Sequence, residues 1–342
     1  MLRAHLLLLI ALALPRLVVA DVGPIPGTIR VKPIFDKADL VCNGRIESIV
    51  RGSGGGSEGV VGSKDFYKVK VEVQDIYKKE PGLTGQIEIE YPHDPAVTDS
   101  GLRVGQTVLL FLIDNGSGAY ELADRFLGLT MLDSLPIVSD EDGLGKLQSS
   151  LAGILENPDH DDQITALRLL QGFESLDDST LATADKLASS NDPEVAFTAL
   201  AVLLNTKTPQ SVRKLKDFVG EYTGKVEPIA LVSVGTELSN ISNLKALPDL
   251  EALTNCRFVS IRYGAMAALR NIGSRESVPM LIQHLDDSNS NIQYSAVITL
   301  AEILDKRGDY GPNMEMFDKD PEKYIALWKQ WWTDEGSISR KH

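Results

Sequence analysis

The second half of the sequence contains a repeated unit, and this repetition restricts the possible folds more than any other feature. Segments that begin at Ile164 and Phe197 read ITALRLL and FTALAVL, and those that begin at Ile261 and Ile292 read IRYGAMAAL and IQYSAVITL. A small residue recurs once per unit, at Ala166, Ala199, Ser233, Ala265 and Ala296. One unit cannot bury its apolar residues alone, so such units stack against one another. The sequence therefore predicts a stack of helical pairs.

Each recurring small residue predicts a point where neighbouring helices approach closely, because a larger side chain would hold them apart. A leucine follows four residues later in most units, but Glu237 takes this place in the third. Asp192 and Pro193 are the residue types of an N-cap and a first helical position. They indicate where the second helix of one pair begins.

The unit at residues 277–304 resembles a HEAT repeat of the kind first noted in phycobilisome lyases. The resemblance implies an all-α, armadillo-like superhelical solenoid, which we expect over residues 147–305 in about five helical pairs. It also implies that the solenoid binds protein along its extended surface. An enzyme of the phycobilin-lyase type is a further alternative, although the chain offers no acid, base or thiol pair for that chemistry.

An aromatic face closes the sequence, within a segment at residues 306–342. Tyr324, Trp328, Trp331 and Trp332 are spaced so that they share one face of a helix. This pattern predicts a capping helix that shields the open end of the last repeat. A cofactor or sugar platform built from the tryptophans is the alternative.

The first half predicts a small all-β domain at residues 38–135. Apolar and polar residues alternate at 67–73 and 87–91, which is typical of half-buried strands. Residues 108–113 are continuously apolar and predict a strand that is buried on both faces. Several short strands without intervening helices favour a barrel or sandwich.

The segments at 38–49, 67–82 and 105–112 resemble bacterial members of the netrin-like family, which includes the tissue inhibitors of metalloproteinases. The resemblance implies an OB-type barrel and, as an alternative function, a peptidase-inhibitor-like role. In those inhibitors an N-terminal Cys chelates the zinc ion of the target. Here Asp21 would be the first residue after the leader and Cys42 lies inside the chain.

Residues 1–20 have the features of a secretory signal peptide. Arg3 precedes an apolar run, and Val18 and Ala20 are small residues before a cleavage site at Asp21. We therefore expect an extracytoplasmic protein, periplasmic or secreted, that is not inserted in a membrane after cleavage. The remaining segments are an N-terminal extension at 21–37 and an acidic linker at 136–146.

The chain contains 48 acidic residues and 34 Lys and Arg, which gives a net charge of −14. This charge argues against nucleic acid and anionic lipid as partners. A field of this sign repels phosphate groups. We expect a protein partner instead.

The sequence contains no recognisable catalytic or metal-binding motif, and it predicts no enzyme activity, metal or cofactor. No histidine has the spacing of a zinc site. His160, Asp161 and Asp162 precede a predicted helix, where acidic residues favour the N-terminus. Calcium binding at this cluster is the alternative, although the spaced ligands and the glycine of an EF-hand loop are missing. Cys42 and Cys256 have the character of small buried side chains.

A stack of large side chains in the second helices is the candidate partner-binding surface. The residues are Phe197, Arg262, Tyr263, Gln293 and Tyr294. Exposed aromatic residues with Arg are typical of binding hot spots. Packing between repeats is the alternative for these residues. The sequence thus predicts a multidomain, exported, non-catalytic scaffold with an OB-like barrel and a HEAT-like solenoid.

Overall fold

The computed structural model describes residues 30–52, 66–78, 83, 85–92, 102–124, 128–136, 143–224 and 227–336. The chain divides into two compact units, of which one ends at Ala184 and the other begins at Asp185. The predicted leader at 1–20, and residues 137–142 of the predicted linker, lie outside the described residues.

The first unit contains the predicted barrel. Its strands are β1 Leu40–Gly52, β2 Phe66–Lys78, β3 Gln86–Pro92, β4 Thr107–Asp114, β5 Tyr120–Leu122 and β6 Leu129–Leu132. The order β1–β2–β3–β5–β4, together with a pairing of β4 to β1, closes five strands into a barrel. The pair Ile89–Tyr120 joins β3 and β5 in parallel, whereas the other recorded pairings are antiparallel. The predicted small OB-like barrel is confirmed.

Strands β5 and β6 pair with successive parts of the same edge of β4. The Ala123 amide donates to the Phe111 carbonyl at 2.8 Å, and the Phe111 amide donates to the Gly128 carbonyl at 2.9 Å. Both short strands therefore pair with β4 on the edge that faces away from β1.

Strand β4 forms the centre of the barrel core. Val108, Leu110 and Leu112 pack with the inner residues of β1, β2 and β3. Leu109 and Phe111 point to the other face and are also fully buried, and a short helix, α1 (Val31–Lys37), contacts this strand. The prediction that the strand is buried on both faces is correct.

Gly44 lets β1 bend where it changes register against β2. A Cβ atom at this position would lie 2.5 Å from the Glu72 carbonyl oxygen, so no larger residue fits without a shift. Glycine at such a position is typical of a strand that curves to close a barrel.

Three helices follow the barrel, α2 (Leu144–Ile154), α3 (His160–Leu170) and α4 (Asp178–Leu187). Helix α2 begins inside the segment predicted as a linker. Its Lys146 is buried, and the ammonium nitrogen lies 2.7 Å from the Asp75 carboxylate on β2. This ion pair joins α2 to the barrel within one unit.

The second unit is a succession of helical pairs. Its helices are α5 Pro193–Leu204, α6 Pro209–Glu221, α7 Leu231–Leu238, α8 Leu247–Leu253, α9 Val259–Ile272, α10 Val278–Gln283 and α11 Ser290–Ile303. The second helices α5, α7, α9 and α11 each contact the next. The recurring small residues Ala199, Ser233, Ala265 and Ala296 are all buried. Asp192 caps α5 as predicted, since its carboxylate accepts from the Glu194 and Val195 amides.

Helices α7 and α9 approach each other closely. A Cβ atom on Gly264 would overlap the Gly235 carbonyl oxygen, and one on Gly235 would lie 2.6 Å from the Ser260 carbonyl oxygen. The two helices therefore touch through their backbones beside the predicted small residues.

Three α-helices, α12 (Arg307–Tyr310), α13 (Met314–Lys319) and α14 (Pro321–Trp331), are followed by a π-helical turn at Trp332–Gly336, where the described chain ends. Trp328 is fully buried, and its indole nitrogen donates to the Tyr310 carbonyl at 3.2 Å. Helix α14 packs on α11, in the position expected for a cap of the last pair. Trp331 is also buried, so neither residue offers an open ring face as a platform.

Candidate partner-binding surface

The structure places Phe197 in the core rather than on an exposed surface. Its ring meets Phe218 edge-on with centroids 5.1 Å apart, and it meets Phe258 in the same way at 5.9 Å. Nearly every residue of α5 is buried because neighbouring helices cover several of its faces. The expectation that Phe197 is accessible was therefore wrong.

Arg262 is held by groups of its own unit. One terminal nitrogen lies 3.2 Å from the Asp287 carboxylate, and the other donates to the Cys256 carbonyl at 3.1 Å. The side chain is 13% exposed. These contacts connect α9 to the turn before α11, so the residue joins consecutive repeats.

Tyr263, Gln293 and Tyr294 are half-buried. Tyr294 packs against Phe317 with ring centroids 5.4 Å apart, and Tyr263 packs against the apolar core of the last repeats. Burial raises the pKa of both tyrosines. The contacts of these side chains are those expected from packing between repeats.

A buried polar network extends from Arg262. The His284 Nε2 atom lies 2.8 Å from the Thr254 hydroxyl, and its Nδ1 lies 3.6 Å from the Asp287 carboxylate. Burial lowers the pKa of His284. The order of Thr, His and Asp is that of a nucleophile, a base and an orienting acid. The Thr254 side chain is fully buried, however, so its hydroxyl cannot meet a substrate in this conformation.

Three carboxylates meet in the first unit, from Asp133, Asp159 and Asp162. Asp162 is almost fully buried and accepts from the Asp133 amide at 3.0 Å and from Asn157 at 3.4 Å. Burial raises the pKa of Asp162, and the neighbouring acids add to this shift. Asp159 also caps α3. His160 and Asp161, considered above with Asp162 as an alternative calcium cluster, do not belong to this group.

Both cysteines are free. Burial raises the pKa of Cys42 to about 12, and burial also raises the pKa of Cys256. Neither thiol therefore has the acidity of a reactive cysteine.

A different group of aromatic side chains in the second unit lies partly at the surface, and we call it the aromatic–arginine cluster; Phe218, Tyr222 and Arg257 are partly or fully exposed, whereas Phe258 is buried. It consists of Phe218, Tyr222, Arg257 and Phe258, with Phe197 beneath them. Phe218 and Tyr222 stack near the end of α6 at 5.9 Å, and both are partly exposed. The Arg257 guanidinium lies over the Phe258 ring at 4.5 Å and over the Tyr222 ring at 5.2 Å.

Arg257 is exposed and is also tied to the loop after α6. One of its terminal nitrogens donates to the Gly224 carbonyl at 2.6 Å. Gly224 lies so close to the Tyr222 hydroxyl that a Cβ atom there would overlap it. The loop, the ring and the guanidinium therefore form one layered surface.

The sequence contained two signals for this cluster. Phe218 and Tyr222 are four residues apart and share a helix face, and Arg257 and Phe258 come directly before α9. Their meeting depends on the packing of two different repeats, which no single segment encodes.

The family model of HEAT repeats matches residues 247–341. The match covers α8 to α14, and the fold therefore combines a small N-terminal β-barrel with a helical region that contains HEAT repeats. No curated protein matches the chain. Among the helices that the structure describes, none has the length and apolar character needed to cross a membrane.

Proposed function

We propose that the protein is a non-catalytic scaffold that works outside the cytoplasm and recognises a protein partner through its helical repeats. HEAT repeats typically mediate protein–protein interaction, and the family match supports this role for the second unit. The features of residues 1–20 support export.

The aromatic–arginine cluster is the observation that carries the proposal. Large aromatic residues and Arg supply most of the binding energy in protein interfaces. Here Tyr222 and Arg257 combine a rigid apolar surface with a charged group at the protein surface. The earlier candidates Tyr263 and Tyr294 instead pack against the apolar core of the last repeats.

The peptidase-inhibitor alternative has the OB-type barrel in its favour and nothing more specific. The residues before Arg30, where the inhibitors have their zinc-chelating Cys, lie outside the described residues.

Affinity capture with matched variants tests the scaffold proposal. The chain without its leader is immobilised and exposed to the secreted or periplasmic fraction of its own source, as wild type, Tyr222→Ala or Arg257→Gln. Arg275→Gln is the control, since Arg275 is an exposed arginine of the same unit and belongs to no aromatic cluster in the described structure. Circular dichroism verifies that each variant is folded.

We expect one protein to be retained by wild type and by Arg275→Gln. Its dissociation constant should rise at least about tenfold with Tyr222→Ala, the loss expected when a hot-spot residue is truncated. A failure of wild type to retain any protein above the level of the blank resin would contradict the scaffold proposal. Equal retention by all variants would remove the cluster from the interface.

A further inference from the structure

We infer that Arg257 recognises a carboxylate group, so that the partner presents an acidic segment with a neighbouring apolar side chain. This inference rests on the proposed function and specifies the chemistry of the partner at the aromatic–arginine cluster.

The orientation of the guanidinium leaves part of its edge available. One face of the group lies over the Phe258 and Tyr222 rings, and one nitrogen is used by the Gly224 carbonyl. An arginine has five N–H donors in a plane, and stacking does not consume them. The remaining donors can bind the two oxygens of a carboxylate side by side.

Several other arginines of the second unit already have carboxylate partners. Arg213 pairs with Asp249 at 3.3 Å, and Arg270 pairs with Glu302 at 3.4 Å. Arg262 has Asp287, as described above. Within the part of the chain that the structure describes, Arg257 has no such partner, although its position is fixed by stacking. Its charge is therefore ordered and available to a ligand.

The charge distribution also permits an acidic ligand in the second unit. Residues 185–342 contain 18 Lys and Arg against 21 Asp and Glu, whereas residues 1–184 contain 16 against 27. The excess of negative charge lies mostly in the first unit. The second unit itself therefore opposes the approach of an acidic segment only weakly.

The partly exposed rings supply the second half of the recognition. Phe218 and Tyr222 lie parallel within 17° and form a small apolar surface beside the guanidinium. A segment that places Leu next to Glu would bury its apolar side chain on the rings and direct its carboxylate to Arg257.

Peptide titration of the full chain tests this assignment. The probe is acetyl-Gly-Leu-Glu-Glu-Leu-Gly-amide, and the matched peptide carries Gln in place of both Glu residues. Isothermal titration calorimetry compares wild type, Arg257→Gln, Arg257→Lys and the control Arg275→Gln. Melting curves identify any variant that fails to fold.

We expect wild type and Arg275→Gln to bind the Glu peptide at least about tenfold more tightly than the Gln peptide. Arg257→Gln should abolish this preference. Arg257→Lys should reduce it, because an ammonium group lacks the planar donor pair, and this variant decides the matter if Arg257→Gln does not fold.

Equal binding of the two peptides by wild type would overturn the inference, as would an undiminished preference in folded Arg257→Gln. A phosphoserine peptide that binds more than about tenfold tighter than the Glu peptide would assign the site to phosphate instead. A captured partner that depends on Tyr222 but not on Arg257 would leave the scaffold proposal intact and refute only the carboxylate assignment. Conversely, peptide discrimination without any captured protein would count against the scaffold alone.

Discussion

Gly264 shows how a single side chain controls the packing of two repeats. We expect Gly264→Ala to lower the free energy of unfolding by about 1–3 kcal/mol, because the added methyl group overlaps the Gly235 carbonyl oxygen. Gly220→Ala is the control, since nothing lies within 4 Å of a Cβ atom there. That variant should be unchanged or more stable by up to about 1 kcal/mol. Urea unfolding measures both, and equal effects would show that the backbone contact is unimportant.

His284 should make the last repeats sensitive to acid. Burial lowers its pKa below the ordinary 6.5, and the Asp287 carboxylate opposes this shift only in part. The unfolded chain therefore takes up a proton more readily than the folded one, so stability is complete above about pH 6.5 and declines as the pH falls toward the folded-state pKa.

The test compares wild type with His284→Gln, whose amide can still bond to Thr254. Between about pH 7.5 and pH 5.5 wild type should lose more unfolding free energy than the variant. Since the carboxylates and other histidines are common to both proteins, a difference of the opposite sign would show that protonation strengthens the Asp287 contact more than burial weakens it.

The residue scale is also where the sequence misled. Phe197 lies two residues before the buried Ala199, which at about 100° per residue corresponds to about 200° around the helix. This angle predicted that Phe197 faces outward. This argument assumes that only one face of a helix is covered, and α5 is covered on several. The predicted small residues Ser233 and Ala265 are buried, but the close backbone contact is made by Gly235 and Gly264 and depends on the register between two helices. Sequence periodicity does not contain that register.

At the scale of elements, Trp328 connects the cap to the last repeat. Trp328→Ala should cost about 3–5 kcal/mol, because it leaves a large cavity beside Tyr310 and Trp331 and removes the hydrogen bond to the Tyr310 carbonyl. Trp332→Ala, at a half-buried position, is the matched substitution and should cost less. Thermal melts followed by circular dichroism compare the two, and an equal loss would argue against a specific role for the buried ring.

A second prediction at this scale concerns the ion pair between β2 and α2. Lys146→Met should cost about 3–5 kcal/mol, because it leaves the Asp75 carboxylate buried without its counter-charge. Lys68→Met is the control, since the Lys68–Glu88 pair of the same barrel is partly exposed and should be worth about 0–1 kcal/mol. If the two substitutions cost the same, the buried pair does not fasten the helix to the barrel.

Elements were the scale at which the sequence was most informative. Alternation at residues 67–73 located β2, and the continuous apolar run identified β4, because the period of two follows directly from strand geometry. The start of α2 within the predicted linker was missed. Its apolar residues lie among Gly and Ser, and the attachment of Lys146 to Asp75 becomes visible only once the strand and the helix are in place.

For the whole molecule, the unequal distribution of charge predicts an unequal response to salt. The first unit has 16 basic residues against 27 acidic ones, and the second unit has 18 against 21. Like charges destabilise a compact state, and salt screens them over a distance of about 10 Å at 0.1 M.

Raising NaCl from about 20 mM to about 200 mM should therefore slow hydrogen exchange in β1 to β4 more than in α7 to α11. Mass spectrometry follows both regions in one sample. Sucrose at the same molar concentration in place of the added salt is the control for non-ionic stabilisation. If salt protects the helices as much as the barrel, self-repulsion of the acidic unit does not limit its stability, and the charge argument that allows an acidic segment to approach Arg257 loses its basis.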